Sequence, residues 1–396
     1  MGWLVLAQSM SLTGSSATRF ALGLAAFSAD HRVADLAWVL VAGFVPGLVL
    51  TPLVGLGIDR LGPLRFVVLG DLLGAGVVAA LLAAPEPGRA TIALAAAGFS
   101  VASALQTPAV SAIVPRLVSS AELPAANGAV AAAGSIAQLL GPAIGAGLVG
   151  AFGLPVVLGL DLASYALAAG LVLARWGDLR DADGGRPGAG SAWGELAEGA
   201  RDLGRRRELL RFVSIGTAFN FVYAMYGVVA QPFVLGFASE RVLGALYAVF
   251  AVGMLAGGAS AGRLGSRSAM TGMVWMVGVL GAAMAVGGLA RTVPVVAGCW
   301  LASGAGLALL GSWSNTVLQR STPVDRHGRL FSTVQVLAWC VLPVGQVLAG
   351  WLADRVFGPE GLGALMAGLG VGLVALAAGA SRMSSLWRLE QQGVPA

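Results

Sequence analysis

Apolar stretches of about twenty residues follow one another along almost the whole chain, each closed by Pro, Gly or charged residues. Such a length carries an α-helix across the hydrocarbon core of a bilayer, where its own hydrogen-bond ladder satisfies the backbone polar groups. The pattern predicts spans near 3–28, 34–57, 64–84, 90–113, 126–150 and 154–176. A second set follows near 211–235, 242–263, 268–290, 294–318, 329–354 and 361–381. One long polar insert separates the sets. The expected fold is an all-α membrane protein of twelve transmembrane helices: a six-helix bundle over 1–176, a linker over 177–210 and a second six-helix bundle over 211–396. The first segment lacks a basic leader and keeps Ser, Thr and Arg19, so it reads as a retained span rather than a cleaved signal peptide. So few residues precede it that a start further upstream also fits.

Composition agrees with the pattern. Of 396 residues 57% are hydrophobic and 11% charged, against roughly 25% charged in an average soluble domain. The 59 glycines suit helices that approach closely in lipid. Every one of the 24 basic residues is Arg, a usage expected of a GC-rich bacterial genome, and this places the protein in a bacterial plasma membrane. If both termini are cytoplasmic, eighteen arginines lie on the inner side, five outside and Arg19 within a span. That asymmetry sets the expected orientation. The linker contributes much of it, and ends in Trp193, Leu196, Ala200 and Leu203 at helical spacing beside Arg201, Arg205, Arg206 and Arg207. Two readings stay open for this segment: a helix on the anionic inner leaflet, or a solvated linker helix.

A shift of ninety residues lays the second and third spans on the fifth and sixth. Pro52, Gly55, Gly57 and Asp71 then fall on Pro142, Gly145, Gly147 and Asp161 without a gap. Ninety residues contain three spans, so the two copies run through the membrane in opposite directions, a pattern of secondary transporters. The halves also correspond, since Arg60-Leu61-Gly62 follows span two and Arg263-Leu264-Gly265 follows span eight.

The segment Gly55-Leu56-Gly57-Ile58-Asp59-Arg60-Leu61-Gly62-Pro63-Leu64-Arg65 resembles the loop motif of the major facilitator superfamily, with Asp59, Arg60 and Gly62 matching and Gly57, Ile58 and Pro63 departing. Gly141-Pro142-Ala143-Ile144-Gly145-Ala146-Gly147 is similar to the antiporter motif of that family's exporters, although Ala137 and Ala146 replace two usual glycines. Stretches around Gln106-Thr107-Pro108, Glu122-Leu123-Pro124 and Asp325-Arg326-His327-Gly328-Arg329 resemble a bacterial branch of drug and siderophore exporters. The resemblance implies alternating access. It gives Asp59, Arg60, Gly62 and Arg65 gating roles against span eleven, and Gly141, Pro142 and Gly145 a close-packing face at which halves rock. A second reading takes that face as packing alone.

Within the spans the charges are Arg19, Asp71 and Asp161, each costly in lipid unless paired or wetted. They are the candidates for proton coupling, with structural ion pairing the alternative for the two acids. The span-four Arg motif of many proton-coupled drug exporters is missing, and Gln106 is the nearest strong polar group there. The family places spans one, four, seven and ten around the substrate. The resemblance thereby nominates Arg19, Gln106, Asn220, Tyr223, Tyr226, Trp313 and Asn315 as substrate-binding residues. Such a lining suits a neutral or anionic amphipathic molecule.

No phosphate loop, Cys/His metal spacing or nucleophile elbow occurs, so no catalytic residue, metal or cofactor is expected. The expected activity is proton-driven export of a small molecule such as a drug, antibiotic or siderophore. The expected partners are substrate, protons and the lipid bilayer, without nucleic acid, for a protein acting as a monomer. An uptake symporter and a non-transporting membrane sensor or scaffold are the competing readings.

Overall fold

The computed structural model describes residues 2–84, 87–119, 122–174, 192–264, 269–321, 327–383 and 386. The helices are α1 (Gly2–Asp30), α2 (Val33–Ala42), α3 (Val45–Leu61), α4 (Pro63–Ala83), α5 (Arg89–Leu117), α6 (Leu123–Phe152) and α7 (Leu154–Ala174). They continue as α8 (Ala192–Arg205), α9 (Arg207–Leu235), α10 (Glu240–Leu264), α11 (Ala269–Leu289), α12 (Val293–Arg320), α13 (His327–Trp339), α14 (Leu342–Leu352) and α15 (Gly358–Ser381). A π-helical turn, Ala353–Phe357, joins the last two. Among the described residues ten segments are long and apolar enough to cross a bilayer, and Thr333–Ser381, at 49 residues, has length for two passes. The 29-residue α1 has spanning length too, its apolar character diluted by Gln8, Arg19 and a Ser/Thr series. The helices are thus consistent with twelve passes of a multi-pass membrane protein.

Two spans are broken. The second divides at Gly43-Phe44, ahead of Pro46, and the eleventh at Cys340-Val341, ahead of Pro343. In both cases proline sits in the first turn after the break, where its missing N–H costs no helical hydrogen bond. Conversely, single residues join α3 to α4 and α6 to α7. Gly62 and Gly153 take φ values of 84° and 83°, a left-handed geometry that a side chain would strain. The helices that follow, α4 and α7, are each 21 residues long. They bury Asp71 and Asp161 at equivalent depth in the ninety-residue repeat.

The residues group into two compact units: Met1–Ala189 with Glu240–Ala245, and Gly190–Ser239 with Leu246–Ala396. In the first, α1 packs on α6 and α7, α4 on α5 and α7, and α3 on α5. Leu22, Phe99 and Leu158 centre one apolar cluster, and Leu64, Ile113 and Val172 another. In the second unit α11 packs along α12 and α15, and α9 along α14 and α15. Backbones meet directly on the α11–α15 face, where a Cβ on Gly281 or Gly288 would lie 2.6 Å from the carbonyl oxygen of Gly370 or Gly363. The linker helix α8 docks on α13 and α9 of this unit, with Leu203 buried beside Leu209, Phe212 and Leu318.

Candidate functional site

Arg19 projects from α1 and its Nη1 donates to Ser103 Oγ of α5 at 2.9 Å. Among the described residues it closes no ion pair, although the Asp161 carboxylate of α7 lies within electrostatic reach. Asp161 is fully buried. Its Oδ1 stands 3.4 Å from Ser15 Oγ and 3.3 Å from Ser164 Oγ, long for hydrogen bonds; Thr18 lies close to the carboxylate, but among the described residues neither Asp161 Oδ2 nor Thr18 Oγ1 completes a hydrogen bond. Ser15 also donates to Tyr165 Oη at 2.7 Å. The Tyr165 ring occupies a space that only glycine at position 74 leaves open, because a Cβ there would overlap it. Ser15 thus ties Tyr165 into one polar core with Asp161 and the nearby Arg19.

Asp71 of α4 answers to a different partner. Gln106 of α5 donates its Nε2 to Asp71 Oδ1 at 2.5 Å, and both side chains are buried. Asp71 Oδ2 completes no hydrogen bond among the described residues. The structure therefore places Gln106 beside an acid within its own bundle. Thr18 and Tyr165 lie outside the residues nominated from sequence. The signal available was spacing: Tyr165 follows Asp161 by one helical turn.

In the second unit, Tyr223 and Tyr226 of α9 form a stacked series with Phe219, at centroid separations of 5.6 and 6.2 Å. Tyr247 of α10 meets Trp300 of α12 edge-on at 4.9 Å, and Trp300 also lies beside the Tyr226 side chain. Tyr223, Tyr226, Tyr247, Trp300 and Phe250 line a cavity of about 90 Å³ that also receives Ser303, a buried hydroxyl completing no hydrogen bond among the described residues. Tyr247, Phe250, Trp300 and Ser303 carry no helix-local pattern with Tyr223, so only the tertiary fold assembles them. Asn220 instead donates Nδ2 to Ala338 O at 3.1 Å, beside the break in span eleven. Trp313 is buried in the apolar cluster of α8, α9 and α12, its ring lying over Gly272, whereas Asn315 is exposed.

The gating candidates of the first unit divide into turn and face. Arg60 and Arg65 are exposed around the Gly62 turn, and Asp59 lies in the last turn of α3 with its side chain outside the described residues. Gly141 and Gly145 face α1 of their own bundle. A Cβ on Gly145 would sit 2.6 Å from Ala17 O, and one on Gly141 would collide with Ser16. Pro142 lies inside α6.

A polytopic bundle with buried carboxylates and an arginine inside its spanning helices is the arrangement of a membrane transporter. The Major Facilitator Superfamily sequence family matches residues 4–344, and the chain belongs to that family. Macrolide efflux protein A of Streptococcus pyogenes is 23% identical over an alignment of 367 residues that covers 88% of each chain. An uncharacterised MFS-type transporter, y4rN, of Sinorhizobium fredii is 29% identical over 253 residues, covering 62% of this chain and 54% of its own. Among solved structures, a bacterial homologue of the iron transporter ferroportin in an inward-facing state superposes with a TM-score of 0.74 at 17% identity, over 96% and 98% of the two chains. The nucleoside transporter NupG gives 0.74 at 13% identity over 96% and 97%. These last two are likenesses of fold.

Proposed function

We propose that the protein is a secondary active exporter, moving a small amphipathic molecule out of a bacterial cell by alternating access in exchange for protons. The observation that carries the proton part is the pair of repeat-related carboxylates, Asp71 and Asp161, buried in spanning helices with one oxygen of each left without a hydrogen bond. A buried carboxyl in that condition gains from taking up a proton. Export is favoured by whole-length similarity to macrolide efflux protein A and by the exporter-like Gly141–Gly147 segment. In this reading the Arg19–Asp161–Tyr165 core couples protons, and Tyr223 and Tyr226 contact substrate within the aromatic cavity. Asp59, Arg60, Gly62 and Arg65 govern exchange between states. The protein works as a monomer in the inner membrane with both termini in the cytoplasm.

Purified protein in liposomes tests this with a labelled macrolide as probe. An acidic lumen should drive accumulation inside, since protons leave as substrate enters. Accumulation only with an acidic exterior would replace antiport by uptake symport. Absence of gradient-dependent flux across a panel of amphipathic probes would favour a non-transporting role.

A further inference from the structure

The first unit contains a second cleft, apart from the Arg19–Ser103 contact, of about 350 Å³ between α1, α6 and α7. Its walls are apolar, with Ile144 and Leu148 from α6 and Val157 and Leu160 from α7. Its floor is polar: Thr13, Ser164 and Asp161. Gly14 of α1 makes this floor possible, because a Cβ there would lie 2.6 Å from Asp161 Oδ1 and 2.8 Å from Ser164 Oγ. Volume, apolar walls and a few convergent polar groups are the attributes of a small-molecule site.

The mouth opens on an exposed apolar face of α6 and α7. Val156, Leu160 and Leu167 are 39%, 55% and 46% exposed and recur at helical spacing on α7, and Ile144 of α6 is 37% exposed. An uncovered and wholly apolar stripe on a spanning helix faces acyl chains. A molecule entering here would come from the bilayer with its apolar part against the walls and its head against Asp161.

Charge decides the head. In the interior of this unit's spans the charged side chains are Arg19, Asp71 and Asp161, so one negative charge exceeds the positive when both acids are ionised. Arg19 directs Nη1 to Ser103, and Asp161 has only long serine contacts on one oxygen and no completed hydrogen bond on the other. A monocation that donates a hydrogen bond supplies both missing elements. We propose that the cleft between α1, α6 and α7 is a bilayer-facing binding site for an amphipathic amine, its ammonium against Asp161. This inference does not depend on the direction of transport or on proton exchange, and binding to purified protein tests it separately from flux.

The probe is labelled 4-phenylbutylammonium, with uncharged 4-phenylbutanol as its isostere, on full-length protein in lipid nanodiscs. Saturable amine binding is expected, with the alcohol a poor competitor. Asp161→Asn should weaken it about tenfold or more, as loss of one member of a desolvated charge pair does. Leu160→Trp, which fills the mouth, should do the same, while Leu167→Trp on the same exposed stripe should leave binding intact. If Asp161→Asn does not fold, the amine–alcohol comparison and the two tryptophan variants decide alone. Equal binding of alcohol and amine would make the cleft an acyl-chain groove and overturn the proposal. Amine binding that survives Leu160→Trp but is lost in Tyr226→Ala would overturn it too, moving the amine to the aromatic cavity.

Discussion

Arg19 and Asp161 are 142 residues apart in sequence, yet they lie around one polar core with Ser15 and Tyr165. Asp71 stands against Gln106 instead. If Arg19 and Asp161 act as one unit in exchanging protons for substrate, their losses should not add. Substrate-induced proton release from purified protein is expected to fall about tenfold or more in Arg19→Gln and in Asp161→Asn, with the double variant no worse than either. Asp71→Asn should lower release independently. Unchanged release in all three would leave these charges as structural groups. At this scale the sequence showed which side chains were costly, because a charge inside an apolar run is visible without a fold. Their partners were not visible, since Gln106 read as cavity lining and a neutral amide beside a carboxylate has no signature along the chain.

Helices were the most legible part. The twelve apolar runs and their Pro, Gly and Arg boundaries agree with the spanning helices to within a few residues at most ends, α2 with α3 and α13 with α14 each counting as one span, because span length is fixed by bilayer thickness. The breaks in spans two and eleven were hidden, since Pro46 and Pro343 each sit inside a continuous apolar run. In the Gly141–Gly147 segment, expected to be a close-packing face at which halves rock, Gly141 and Gly145 pack against α1 within the same unit. Gly55, its repeat mate, has open space where its Cβ would be. Gly145→Ala should therefore destabilise the protein by about 1–3 kcal/mol, as overpacking against backbone does, while Gly55→Ala stays near neutral. Thermal unfolding in detergent compares them, and equal melting temperatures would remove the packing role. Asn220→Ala takes away the donor to Ala338 O beside the broken span and should cost about 1–2 kcal/mol. An unchanged midpoint in the same assay would show that the carbonyl finds another donor.

Across the whole molecule, the spacing of spans predicts a division of the chain in two, and the structure separates into two compact units, the first of which also takes Glu240–Ala245; the states that alternate are not visible in that spacing. The loop turn is one place where residue chemistry reaches that level. Gly62 fixes a left-handed turn between α3 and α4, and Asp59 is the acid of that turn in a segment otherwise rich in arginine. Asp59→Asn should leave the protein in the membrane at normal abundance and lower transport strongly, because a ligand-driven cycle needs both states within a few kcal/mol of each other. Full activity would exclude gating by this charge. Orientation is the remaining property of the whole chain, and it rests on arginine placement alone. With both termini inside, the insert with Arg180 and Arg186 faces the cytoplasm, and the short connection holding Pro87 before α5 faces outward. Cysteine at either place, after replacement of Cys299 and Cys340 by alanine, reports this directly. A membrane-impermeant maleimide on intact cells should label Pro87→Cys and spare Ala182→Cys until the cells are opened. The reverse pattern would invert the chain in the membrane and, with it, the side from which Asp59 acts.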